Sequence, residues 1–141
     1  VLVDESLRVV DSPAPAVAVG DVARHPNALF AFGPSRIEHW NMPTELAKYA
    51  GATLAKSLDD PSTMTTPEPF SALPSFWSDQ YDVSLQSFGM PGLGTPTVVE
   101  GDLDGACIVE YHRGDELVGV VGVNRSKDLM PYRKQMLARQ P

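Results

Sequence analysis

The sequence predicts an α+β chain whose C-terminal part holds an antiparallel sheet of three or four strands packed against a terminal helix. Three observations carry this expectation. Leu46, Ala50, Leu54 and Leu58 recur every four positions, a helical apolar stripe in the first half. Short runs rich in β-branched residues follow one another in the second half with no helical pattern between them. Two of these runs flank Arg113-Gly114-Asp115-Glu116, a four-residue turn with glycine and therefore a hairpin signal.

Taken in order, residues 1–58 form a first unit. Val1–Val3 and Ala16–Val19 read as strands separated by Asp11-Ser12-Pro13-Ala14-Pro15, residues that restrict or cap a turning backbone. A loop with His25-Pro26-Asn27 and Phe32-Gly33-Pro34 leads to a helix over roughly 42–58. Asn41 suits its N-cap, and Pro43 is tolerated in the first turn, where its missing N–H costs nothing. Residues 59–75 hold four prolines among small polar residues and read as a linker or an extended crossing segment. Residues 76–141 form the second unit. Its strands are expected at Val83–Phe88, Thr97–Glu100, Ala106–His112 and Leu117–Val123, and its helix at Lys127–Arg139. The opening Val1-Leu2-Val3-Asp4-Glu5 is already strand-like, as though continued from a longer chain.

Bulk properties exclude several function classes. With 43% hydrophobic residues the chain can bury a core. Its net charge of −7 argues against nucleic acid or an anionic membrane as partner. No apolar run approaches the roughly 20 residues of a membrane span, and no basic, apolar leader stands at the start. The default compartment is the cytoplasm. Cys107 is the single cysteine, so neither an internal disulfide nor a Cys-x-x-Cys pair can form, and its apolar surroundings suit a small buried hydrophobe.

Three segments carry candidate chemistry. Val17-Ala18-Val19-Gly20-Asp21 places a carboxylate just past a buried strand, where ligands of open α/β sheets sit. There, an acceptor-only side chain can fix a ligand hydroxyl; the plainer reading is a strand followed by a turn. Arg36-Ile37-Glu38-His39-Trp40-Asn41 precedes the first helix, whose positive end suits an anionic ligand atom. Trp40 beside it offers a flat surface to a planar ring, or else packs in the core under a loop. Phe76-Trp77-Ser78-Asp79-Gln80-Tyr81-Asp82 is the densest cluster of aromatics and carboxylates, and its bland reading is an interface strand.

In that order, Gly20-Asp21-Val22-Ala23-Arg24, Arg36-Ile37-Glu38-His39-Trp40 and Phe76–Asp82 resemble the FAD- and NAD(P)H-dependent ferredoxin reductases of bacterial oxygenases and cytochromes P450. Val121-Gly122-Val123-Asn124 and the segment from Arg125 to Lys134 resemble that family's closing hairpin and helix. The resemblance implies the end of a FAD-binding domain (1–58) followed by the reductase C-terminal domain (76–141). It implies a parent that takes hydride from NAD(P)H onto FAD and passes single electrons to a ferredoxin-type iron–sulfur protein. Asp21 matches the aspartate at the FAD ribityl chain, with Val22 in the same turn. Trp40 matches the position at the isoalloxazine ring, and the helix after it would aim its positive end at the flavin edge that gathers charge on reduction. Phe76 and Trp77 would stand near the flavin face. The family usually has a small residue where Met42-Pro43 stand. Its two Gly-x-Gly-x-x-Gly loops, for FAD and for NAD(P)H, are not in this sequence; Gly89-Met90-Pro91-Gly92-Leu93-Gly94 has another spacing. The isolated chain is therefore expected to be inactive.

The rival reading is a non-catalytic module that assembles or dimerises a larger flavoprotein, and a homo-oligomer fits either reading. A flavin disulfide reductase is disfavoured by the lone cysteine. His25, His39 and His112 lack metal-ligand spacing and suit surface or packing roles. Asp102-x-Asp104-Gly105 starts like a calcium loop but lacks its closing Glu and reads as a turn. From Arg125 onward five basic residues face one acidic (+4), against six and seventeen (−11) before it. That asymmetry suits either an acidic electron carrier or a solvated helix face.

Overall fold

The computed structural model describes residues 1–59 and 69–139, which pack as two compact units, Val1–Ala72 and Leu73–Gln140. The first unit holds a small antiparallel ladder, β1 (His25–Asn27) and β2 (Phe32–Ser35), and one long helix, α1 (Met42–Asp59). Pro43 stands in the first turn of α1, and the Asn41 carbonyl accepts the Glu45 N–H at 3.3 Å. The buried face is Met42, Leu46, Ala50 and Thr53. Leu58, expected to extend the stripe, is 80% exposed. The reason is geometric: at 3.6 residues per turn a strict period of four drifts about 40° per step, whereas steps of four, four and three stay on one face.

The expected strands Val1–Val3 and Ala16–Val19 are single bridges instead: Leu2 with Arg24, Val3 with Val9, and Arg8 with Val17. An apolar β-branched run becomes a strand only beside a ladder partner, and among the described residues Arg8 alone bridges to Val17. Residues 16–19 are accordingly extended but half-buried, and the buried strand expected before Asp21 is not formed. Most of the expected linker, residues 60–68, lies outside the described residues. Its end does not hang free. Phe70 and Ala72 are buried; the Phe70 N–H donates to the Glu5 carbonyl, and its own carbonyl accepts the Ala28 N–H, both at 3.0 Å. The Asn27 side chain donates to the Ala72 carbonyl at 2.8 Å.

The second unit is a five-stranded antiparallel sheet in the order β3-β4-β7-β6-β5. The strands are β3 (Ser75–Gln80), β4 (Val83–Gly89), β5 (Thr95–Gly101), β6 (Cys107–Arg113) and β7 (Glu116–Val123). This is one strand more than the sequence suggests, because the aromatic segment Phe76–Gln80 pairs along β4 as an edge strand. The β6–β7 hairpin forms where predicted, with Gly114 at φ +61° in its turn. Central β7 has the densest burial, Leu117, Val118 and Val120. Its glycines make room for neighbours: a Cβ on Gly119 would meet the Pro91 nitrogen at 2.6 Å, and one on Gly122 would meet Leu129 at 3.1 Å. The predicted terminal helix begins as a 3-10 turn, Ser126–Leu129, before α2 (Met130–Leu137). Pro131, without an N–H, suits the first turn of an α-helix and so sets its start. Cys107 is fully buried, as expected.

Candidate functional site

In the first unit the candidate site is built on two adjoining backbone features. Gly20–Val22 form a 3-10 turn, entered by Gly20 at φ +72°, a left-handed conformation that glycine adopts without strain. This turn packs on the first turn of α1: a Cβ on Gly20 would stand 3.9 Å from Pro43. Asp21 therefore sits beside the positive end of an 18-residue helix, with its side chain in solvent. Val22 is 55% exposed. Trp40, two residues before α1, is 85% exposed, which rules out the core-packed alternative for this indole. On the same approach to the helix, burial pushes the His39 imidazole pKa below its usual range. Arg36 pairs with Glu38 at 2.8 Å.

In the second unit, Phe76 (41% exposed) and Trp77 (51%) are neighbours on edge strand β3. Alternation along a strand turns consecutive side chains to opposite faces. Phe76 stands across from Ser87 and Trp77 across from Gln86. The strand ends at Gln80, and Tyr81 follows as a fully exposed aromatic at φ +57° in the turn to β4. Asp21, Val22 and Trp40 thus gather in one unit, while Phe76 and Trp77 belong to the other.

The remaining candidates resolve as local structure. In the Asp102 turn, the Asp102 carboxylate accepts the Asp104 N–H, and its carbonyl accepts the Gly105 N–H. No group of three potential metal ligands occurs among the described residues. A groove of about 740 Å³ in the first unit is bordered by Asp4, Arg8, Asn27, Phe32, Pro34 and Phe70. Its ion pair is closed, Arg8 to Asp4 at 2.6 Å. Burial works to raise the Asp4 pKa, but hydrogen bonds from the Arg8 side chain and from the Arg8 and Ser6 amides outweigh it and leave it lowered. Sequence reasoning missed the ion pairs of Arg125, which joins Glu100 of β5 to Asp128 at the start of the terminal helical segment. The i,i+3 spacing of Arg125 and Asp128 could have signalled the local pair, whereas nothing but charge sign points to Glu100, 25 residues away.

Comparison with known proteins decides the family. Residues 75–141 match the family described as Reductase C-terminal. The ferredoxin–NAD(+) reductase component of the anthranilate 1,2-dioxygenase system of Burkholderia cepacia is 31% identical over 96% of the chain. Rhodocoxin reductase of Rhodococcus erythropolis is 32% identical over 100% of it. The chain belongs to the ferredoxin reductase family and corresponds to its C-terminal part. It spans about a third of each relative, 31% and 30% respectively. Among solved structures, the putidaredoxin reductase–putidaredoxin covalent complex aligns at TM-score 0.78, with 28% identity, over 98% of this chain and 30% of the other. The ferredoxin reductase for the CYP199A2 system of Rhodopseudomonas palustris, 24% identical, shares the fold at TM-score 0.76, covering 100% of this chain and 32% of its own. The family's C-terminal architecture is thus the α+β fold described above. No helix among the described residues is long and apolar enough to cross a membrane.

Proposed function

We propose that this chain is the C-terminal part of a flavoprotein that takes electrons from NAD(P)H through FAD to a ferredoxin-type iron–sulfur protein. One observation carries the reading: an exposed carboxylate, Asp21, held by a glycine-entered turn against the start of α1, with an exposed indole, Trp40, just before that helix. These groups fit a flavin. Asp21 would hold ribityl hydroxyls by charge-assisted hydrogen bonds, and the Val22 backbone would line the same turn. Trp40 would flank the ring, and the positive end of α1 suits the negative charge that flavin gathers on reduction. FAD, when bound, supplies the step from two-electron hydride chemistry to single-electron release. Lys127, Arg133 and Lys134, exposed along the terminal helical segment, would meet an acidic carrier.

The test joins this chain to the FAD- and NAD(P)H-binding portions of a relative and measures NADH-dependent reduction of an acidic ferredoxin. Reduction that is lost with Asp21→Ala and restored by added FAD supports the reading. A stable assembly without such reduction would favour the non-catalytic module.

A further inference from the structure

We infer that His25 is a proton-sensitive keystone that clamps segment 69–72 to the first unit at neutral pH and releases it in mild acid. His25 is 1% exposed on β1. Its Nδ1–H donates to the Pro26 carbonyl at 2.9 Å, so the neutral tautomer leaves Nε2 as a bare acceptor. Nε2 is buried and has no hydrogen-bond partner among the described residues. The ring stands edge-on to Phe70, centroids 5.2 Å apart at 90°. Phe70 in turn meets Tyr49 of α1 edge-on at 5.5 Å. Around this aromatic stack lie the bonds that tie the segment down: Ala28 N–H to Phe70, Phe70 N–H to Glu5, and Asn27 to Ala72.

A second ring proton would place a charged N–H where no acceptor waits, a costly burial. The ionisable groups around it are engaged elsewhere. The Arg24 guanidinium donates to the Pro34 carbonyl, Asp4 is closed by Arg8, and the Tyr49 hydroxyl donates to the Glu5 carbonyl. Glu5 itself is exposed, and His39 stands on the approach to α1. Burial lowers the His25 pKa in the clamped state. The clamp is complete above the ordinary histidine value of about 6.5. Below that value the loosened state binds more protons than the clamped one, and closure weakens until the folded pKa is passed. The chain continues from Ala72 through Leu73 and Pro74 into β3, which carries Phe76 and Trp77.

Amide hydrogen exchange on the 141-residue chain, expressed as protection factors at about pH 7.5 and 5.5, on either side of the ordinary histidine value, tests the clamp. Protection at Ala28 and Phe70 should fall several-fold in acid, toward the roughly ten-fold ceiling that one histidine sets over this range, while Leu46 and Ala50 of α1 and Val109 and Val121 of the sheet hold theirs. In His25→Phe the acid loss should vanish. The His25 ring protons, followed by NMR in the unmodified chain, should titrate below a histidine-containing peptide. Equal loss at Leu46 and Ala50 would overturn a local clamp in favour of unfolding of the whole unit. An ordinary titration midpoint, or unchanged protection at Phe70, would overturn the keystone itself.

Discussion

Asp21 and Gly20 occupy adjacent positions but answer to different physics. In the proposed site Asp21 would act only toward the ribityl chain of a bound flavin; losing a charged hydrogen bond costs roughly 1.5–3 kcal/mol. In the complete reductase, Asp21→Ala should therefore weaken FAD retention ten-fold or more, measured as flavin remaining after gel filtration. Unchanged retention would remove Asp21 from the site. Gly20→Ala meets no atom closer than 3.9 Å, so its effect is conformational. Holding a side chain at φ +72° costs about 1–2 kcal/mol, and thermal unfolding of the chain should shift down accordingly. The turn at Gly20-Asp21, the burial of Cys107 and the Arg113–Glu116 turn are legible in the sequence, because each depends on local residue type. Whether Trp40 is buried or exposed cannot be read there, since an indole suits either place until its neighbours are known. His25 is equally opaque. Its burial depends on Phe70, a residue far along the chain.

At the scale of elements, legibility follows the range of the interactions that make them. α1 and the β6–β7 hairpin rest on short-range signals, a helical period and a glycine turn, and both stand where those signals place them. The run at 16–19 has the composition of a strand without the ladder, which only a distant partner can provide. Segment 69–72 reads as linker from the prolines around it, yet hydrogen bonds to Glu5, Asn27 and Ala28 hold it. Gly122 lies inside an apolar strand, and nothing local tells that it is the seat for Leu129, which is fully buried. Leu129→Ala would leave a cavity against β7 and should destabilise the second unit by about 2–5 kcal/mol. Chemical denaturation, read at the amides of β6 and β7, measures it. A loss under about 0.5 kcal/mol, the ordinary range of surface substitutions, would mean that Leu129 does not anchor the helical segment.

Across the whole molecule, charge and completeness decide behaviour. The basic run that begins at Arg125 opposes an otherwise acidic polypeptide. If the run receives an acidic carrier, Arg133→Gln with Lys134→Gln should slow ferredoxin reduction by the complete reductase at low salt. The slowing should shrink as added salt screens the pair, and an effect independent of ionic strength would argue against electrostatic docking. Completeness gives the sharper expectation. A flavin dinucleotide is held at its pyrophosphate by a glycine-rich turn and a helix N-terminus. No Gly-x-Gly-x-x-Gly occurs in these 141 residues. On the proposed reading Asp21 and Trp40 would reach only the ribityl and ring portions, and those few contacts would have to offset the entropy of immobilising a long flexible ligand. The 141-residue chain alone, refolded with excess FAD and passed through gel filtration, should therefore emerge colourless and should not oxidise NADH. Joined to a portion that supplies the pyrophosphate turn, the same chain should retain flavin, and Asp21→Ala should reverse the gain. Stoichiometric flavin absorbance in the peak of the isolated chain would show that the turn at Gly20–Val22 and the start of α1 bind the cofactor without a phosphate site.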